Sequence, residues 1–248
     1  MDVSVQLYTV RKDAQTDLAG TLARLKALGF TRVELARIDF NEENARIVKD
    51  SGMEVTSVQI KPKILEKEYP SVLSFCRITG CDLVVASVLP LSGILGGKKA
   101  LRNVASRLTA LSLLYGREGI RFAFHPHDFE FKRIGNETKL EILVRETEPT
   151  VSFLLDTYWV KKSGEDLLRW AGFLGSRLAG LHLRDCAEGK NPPDCELGKG
   201  IVDFPALFAS LPSSAFYGAV EQDSQNPWDS LKISIAYLRS LNQKNVHL

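Results

Sequence analysis

Short apolar runs alternate with amphipathic stretches along almost the whole chain. Runs rich in β-branched and aromatic residues predict strands over 3–8, 32–35, 54–60, 82–87, 120–125, 151–156, 178–183 and 217–222. Leu18, Leu22, Leu25 and Leu28 recur at helical spacing and predict a helix over 17–29, with Gly29 as its stop. Helices over 41–51, 66–79, 99–115, 138–148, 164–174, 204–210 and 228–241 follow the later strands. The clearest is 99–115, where Leu101, Val104, Leu108 and Leu111 share one face. Such alternation favours a parallel α/β architecture. An open doubly wound sheet would carry GxGxxG after its first strand, and this chain does not. The 248 residues match the ~250 typical of one closed barrel. With no linker or low-complexity stretch, a single (β/α)8 TIM barrel domain over 1–248 is expected.

Composition narrows the function classes. Charged residues make up 25% and the net charge is +2, with acids and bases interspersed. That argues against nucleic acid, which asks for a concentrated basic face. No apolar run reaches the ~18 residues of a membrane span, and the first residues read as a strand rather than a signal peptide. Cys76, Cys81, Cys186 and Cys195 form no CxxC pair. A reduced, cytoplasmic protein is the simplest account. Cys186 and Cys195 flank a polar loop and could bind zinc, although bystander thiols are the plainer reading.

Chemistry gathers where the strands end. The fifth predicted strand runs into His125, His127, Asp128 and Glu130, the sixth into Asp156, the seventh contains His182, and the eighth ends in Glu221. Each has a plain reading alone: Asp156 as a cap for the next turn, His182 as a satisfied core residue, Glu221 as an ion pair with Arg184. Equivalent positions on successive strands are harder to explain as packing. In a parallel barrel those ends converge on one mouth, where oxygen and imidazole ligands can surround one divalent cation. Pro126 suggests that the fifth strand stops or turns there, so which of residues 125–130 reaches the mouth is open. Glu34, at the end of the second strand, is a candidate support for the site. Lys161, Arg184 and Lys199 are candidates for an anionic substrate group. The irregular stretches 88–98 and 185–203 follow strands and read as lids or binding loops.

VQLYTVR, ALGFTRVEL, HPHDFEF, LLDTYWVKKSG, LHLRD, LGKGIVDFPALF and VEQD occur in that order. In this ordered set the chain resembles the xylose isomerase-like barrels, the sugar phosphate isomerase/epimerase group, and within it the LQLYTVR subgroup. The resemblance covers almost the whole chain. It implies a divalent metal (Mn, Mg, Co or Zn) held by Glu, Asp, His and Glu from strands five to eight. Carried over, Asp156, His182 and Glu221 match the last three. At the first position an ungapped alignment puts His125 where Glu is usual, and Glu130 can supply the carboxylate from a turn; Glu130 is the expected ligand. Pro126 replaces the Asn of HNHDFEF, Tyr158-Trp159 replace Gly-His of Asp-Thr-Gly-His, and Lys199 replaces the Glu of Gly-Glu-Gly.

The implied activity is a sugar or cyclitol isomerase/epimerase working through an enediolate. Glu221 is the expected base, with Glu130 or His125 as the second catalytic group and His127, Trp159, Arg184, Lys199 and Glu34 facing the substrate. The alternatives are a lyase of the same fold, acting on an inosose or 3-keto sugar, and a catalytically inactive sugar-binding relative. A multi-zinc repair endonuclease would need more His than the four here, one of them His247 near the end. The expected partner is a small carbohydrate; self-association into a homo-oligomer is left open.

Overall fold

In the computed structural model, residues 2–189, 191–211 and 217–241 are described; His247 lies outside them. Eight parallel strands close into a barrel: β1 (Asp2–Gln6), β2 (Arg32–Ala36), β3 (Glu54–Ile60), β4 (Leu83–Ala86), β5 (Arg121–Phe124), β6 (Val151–Asp156), β7 (Leu178–Leu183) and β8 (Tyr217–Val220). β1 pairs with both β2 and β8, which closes the ring. Among the described residues, no helix is long and apolar enough to cross a membrane.

Both faces of each strand are buried, so the strands read as near-continuous apolar runs rather than alternating ones. Outward residues such as Val151, Phe153 and Leu155 pack with Leu101, Leu108 and Trp170 in the large core between sheet and helices. Inside the barrel a smaller cluster holds Leu83, Val85, Ala123, Leu154, Ala179, Tyr217 and Ala219. Because side chains alternate along a strand, inward Ala123, Leu154 and Ala219 put His125, Asp156 and Glu221 on the inward face as well, two residues nearer the mouth. Register aligns these levels: Asp156 pairs with His182, and His182 with Ala219.

The observed elements depart from the predicted ones mainly at the mouth. β1 stops at Gln6, and Leu7–Val10 form a 3-10 turn in which the Gln6 side chain accepts from the Tyr8 N–H at 3.1 Å. A helix Arg11–Thr16 follows, ahead of Leu18–Ala27. The 88–98 stretch contains a short helix, Leu91–Leu95. Another, Thr157–Lys162, starts directly after β6, so the expected 164–174 helix is confined to Leu167–Leu174. At Leu7, Leu91 and Thr157 the extra turn starts after Gln6, Pro90 and Asp156 respectively, a signal that apolar periodicity does not carry; Arg11–Thr16 follows Val10 with no side-chain cap.

The 185–203 stretch is pinned by one carboxylate. Asp185 is fully buried and accepts four backbone N–H groups: Cys186 at 2.9 Å, and Gly198, Gly200 and Val202 at 3.0 Å each. A Cβ at Gly200 would meet the Cys186 carbonyl at 2.2 Å, so only glycine allows this approach. Asp185→Ala should therefore destabilise the fold by on the order of 3 kcal/mol, because buried N–H groups lose a charged acceptor. Urea denaturation measures it; an unchanged midpoint contradicts the anchoring role.

Candidate metal centre

His125, Asp156 and His182, all buried, bring one donor atom each to within 4.8 Å of one another. The two imidazoles are oriented differently. His125 Nδ1 lies 3.2 Å from the Leu154 carbonyl. A carbonyl only accepts, so Nδ1 carries the proton and Nε2 keeps its lone pair for the centre. Burial, aided by repulsion from His182, lowers the His125 pKa to about 3, so the ring stays neutral. His182 Nε2 lies 2.7 Å from Glu34 Oε1, and its Nδ1 lies 2.9 Å from Glu221 Oε2 and 3.8 Å from Asp156 Oδ2. Burial alone would lower the pKa of His182, but Glu34 and Glu221 outweigh it and raise the pKa well above the ordinary value.

Asp156 divides its two oxygens between two tasks. Oδ1 accepts the Tyr158 and Trp159 N–H groups at 2.8 and 3.2 Å, which caps the helix Thr157–Lys162. Oδ2 faces His182 and lies 3.4 Å from Arg184 Nη1. The capping reading thus holds for Oδ1, and Oδ2 is left facing His182 and Arg184. Arg184 also meets Glu221 Oε1 at 3.3 Å and pairs with Asp194 through Nη2. Burial opposes the charge on Arg184, yet Asp156, Glu221 and Asp194 overcome it and raise its pKa. Burial also penalises the Asp156 carboxylate, but Arg184 and His182 hold its pKa below the ordinary value. For Asp194 burial wins over Arg184 and moves the pKa up to about 6.

Above this cluster opens a cavity of about 690 Å³, lined among others by Tyr8, Phe40, His127, Trp159, Arg184 and Glu221. The His127 ring sits 5.4 Å from Trp159 and 5.8 Å from Phe129. Burial lowers its pKa to about 3, so it too is neutral. The wall therefore offers flat apolar faces beside a few fixed polar groups, the usual makeup of a small-molecule site.

The donor set fits a divalent ion. Two imidazole nitrogens and one Asp156 oxygen gather at one buried spot, with Glu221 Oε2 2.9 Å from His182 Nδ1, and a carboxylate buried in such a place is costly without a cation. The barrel and its matching sequence decide the family: the xylose isomerase-like TIM barrel family matches residues 22–241. The chain belongs to that family. Among solved structures it is similar to a sugar phosphate isomerase/epimerase from Parabacteroides distasonis, with 18% identity, 98% of each chain covered and a TM-score of 0.81. It is also similar to the "probable 3-DHS dehydratase" of Bacillus anthracis, with 15% identity, 96% of this chain and 99% of that one covered, and a TM-score of 0.74. A D-psicose 3-epimerase from Clostridium cellulolyticum is 13% identical, with 97% and 99% covered and a TM-score of 0.70. At these identities the likeness shows the fold. No curated protein matches the sequence.

Within this xylose isomerase-like barrel, three of the expected site residues lie away from the His125–Asp156–His182 cluster or the cavity wall. Glu130 does not join the cluster. It sits in the 3-10 turn Asp128–Phe131, wholly buried, where Oε2 accepts the His127 N–H at 2.6 Å. This contact is local to the turn that follows Pro126, and His125 is the residue of this segment that joins the cluster. Lys199 is exposed and is not on the cavity wall, because Asp185 ties its loop down at Gly198 and Gly200. Glu34 is wholly buried and is not on the cavity wall. His127, Trp159 and Arg184 do line the cavity. Cys186 and Cys195 pair with Asp194 and Asp185 across an antiparallel ribbon, and strand alternation puts the two thiols on opposite faces of it. Asp194, Gln6, Ser57 and Tyr217 escaped the sequence reading. For the last three, inward parity on β1, β3 and β8 was the available signal; for Asp194 there was none.

Two measurements follow. His125→Ala should weaken manganese binding by about tenfold or more, and Glu130→Gln should leave it within about twofold, read by calorimetry. The reverse order would restore Glu130 as the ligand. Glu130 also predicts a pH effect. Burial raises its pKa from 4.5 to about 7. A raised pKa in the folded state stabilises the fold below the unfolded value and loses that contribution as pH rises through the folded value. Glu130→Gln cannot ionise, so its stability relative to wild type should grow between about pH 5 and 8, by on the order of 2 kcal/mol. A flat difference across that range contradicts the shift.

Proposed function

We propose that this chain is a divalent-metal-dependent isomerase or epimerase acting on a sugar or cyclitol, with His125, Asp156, His182 and Glu221 holding the ion. The observation that carries the reading is the meeting of His125, Asp156 and His182 at the C-terminal mouth of the barrel, the face where barrel enzymes do their chemistry. Two imidazoles in the set favour manganese, cobalt or zinc over magnesium. Bound there, such an ion supplies Lewis-acid polarisation of a carbonyl and its neighbouring hydroxyl.

The protein's own groups handle the substrate and its proton. Trp159 and His127 give a sugar ring an apolar face, and the cavity of about 690 Å³ has room for one. Glu221 lies on the cavity wall and takes the proton from the carbon beside the carbonyl, which leaves an enediolate. Arg184, 3.3 Å from Glu221 Oε1, keeps that carboxylate aimed. Neutral His125 and His127 are weak bases but good hydrogen-bond partners. A reducing, cytoplasmic setting suits the free thiols of Cys76, Cys81, Cys186 and Cys195.

A second reading has a specific observation behind it. His125 stands where a two-base epimerase of this family would have its second glutamate. With Glu221 as the one carboxylate base, a one-base isomerisation or a β-elimination from an inosose or 3-keto sugar becomes the natural chemistry. The retained donor cluster speaks against an inactive sugar-binding relative.

The test is a panel of ketoses, inososes and 3-keto sugars with added manganese in D2O. Deuterium should enter recovered substrate beside the carbonyl, and a chelator should abolish turnover until metal is restored. Glu221→Gln, assayed at saturating metal, should lower kcat by about a hundredfold or more while KM moves only a few-fold. Wild-type turnover without exchange, together with full activity of the variant, would sink the enediolate route.

A further inference from the structure

Beneath the centre lies a closed polar layer in which four strands supply donors to one carboxylate. Glu34, on β2, is wholly buried. Its Oε1 takes His182 Nε2 at 2.7 Å and also the Gln6 side-chain amide. Its Oε2 takes the Ser57 hydroxyl at 2.6 Å and the Tyr217 hydroxyl at 2.7 Å. The donors come from β7, β1, β3 and β8. Ser57 and Tyr217 are also within 3.2 Å of each other, so the donors brace one another.

The sequence makes room for this arrangement at a specific position. Tyr217 pairs with Gly180 in the barrel, and a Cβ on Gly180 would lie 2.8 Å from the Tyr217 ring and from its carbonyl oxygen. Glycine at 180 lets the ring lie across β7 and extend its hydroxyl to Glu34. An acid with four donors on its two oxygens cannot turn, and its Oε1 admits only an N–H from His182. The imidazole is thereby held with Nε2–H downward and Nδ1 upward, towards Asp156 Oδ2 and Glu221 Oε2.

We propose that Glu34 is a positioning residue that sets the tautomer and ring orientation of His182 so that Nδ1 is presented to the metal. The inference rests on the metal reading above and assigns Glu34 a place outside the ligand set. Carboxylate–histidine–metal arrangements of this kind raise ligand basicity and typically govern metal affinity by 10–100-fold. A purely structural role predicts something different: lower stability with an unaltered centre.

The experiment measures metal binding itself. Wild type, Glu34→Gln and Glu34→Asp are titrated with manganese by calorimetry and loaded with cobalt(II) for absorption spectra, with thermal melts alongside. Glu34→Gln removes the charge at nearly constant shape. Glu34→Asp keeps the charge but withdraws it from His182, and it serves if the Gln variant fails to fold. Both should bind manganese about tenfold or more weakly, with a cobalt spectrum shifted from wild type. Tyr217→Phe leaves the Glu34–His182 bond in place, so it should keep affinity within about threefold even where its melting temperature falls. Wild-type affinity and spectrum in both Glu34 variants, with only the melt lowered, would overturn the proposal and leave the metal reading standing. A wild-type protein that binds no manganese or cobalt would bring down the metal reading and this inference with it.

Discussion

Carboxylates are hard to bury, and this barrel buries several at one end. Glu34, Asp156, Glu221 and Asp194 surround His182 and Arg184, all of them little exposed. An uncompensated ionised carboxylate in such surroundings costs several kcal/mol, so the cations must sit close and be fully engaged. Here the one permanent cation, Arg184, is shared among Asp156, Glu221 and Asp194. His182 answers Glu34 on one side and Glu221 on the other. The acids still outnumber the bases, and a divalent ion would settle that balance.

This arrangement orders the structure around it. The shared guanidinium ties β6, β7 and the segment after β8 together at the mouth and reaches the 185–203 stretch through Asp194. It lies 4.6 Å over the Tyr158 ring, which brings the Thr157–Lys162 helix against the site. That helix is itself started by Asp156. A single carboxylate thus ends a strand, begins a helix and faces the centre, so the aromatic wall formed by Trp159 and the charged floor are positioned by the same residue. Below, the Glu34 layer gives the floor a rigid support made from the remaining strands.

How much of this was legible in the sequence follows from what alternation along a strand can carry. Eight apolar runs with helical spacing between them specify a parallel barrel, and inward parity brings Asp156, His182 and Glu221 to one end. Parity fails where a strand stops. At Pro126 the chain leaves the sheet, and the direction of the next side chains depends on a 3-10 turn that periodicity does not encode. The choice between His125 and Glu130 is open in the sequence for that reason; charge arguments favour Glu130, whereas the observed cluster contains His125. Glu34 was recognised as close to the site, but whether it faces substrate or the floor depends on Ser57, Tyr217 and Gln6, each on a different strand. Asp194 lies on a short ribbon within a polar stretch and becomes visible only once Arg184 is seen to reach it.

Barrels of this architecture host many chemistries on one scaffold, so the fold does not choose the reaction; the site does. The central claim is that His125, Asp156, His182 and Glu221 form one metal centre at the mouth. Anomalous diffraction from crystals grown with manganese tests it most directly. The account predicts one strong peak about 2.0–2.6 Å from donor atoms of all four side chains. A peak beside Glu130, or no peak between His125 and Glu221, would contradict it.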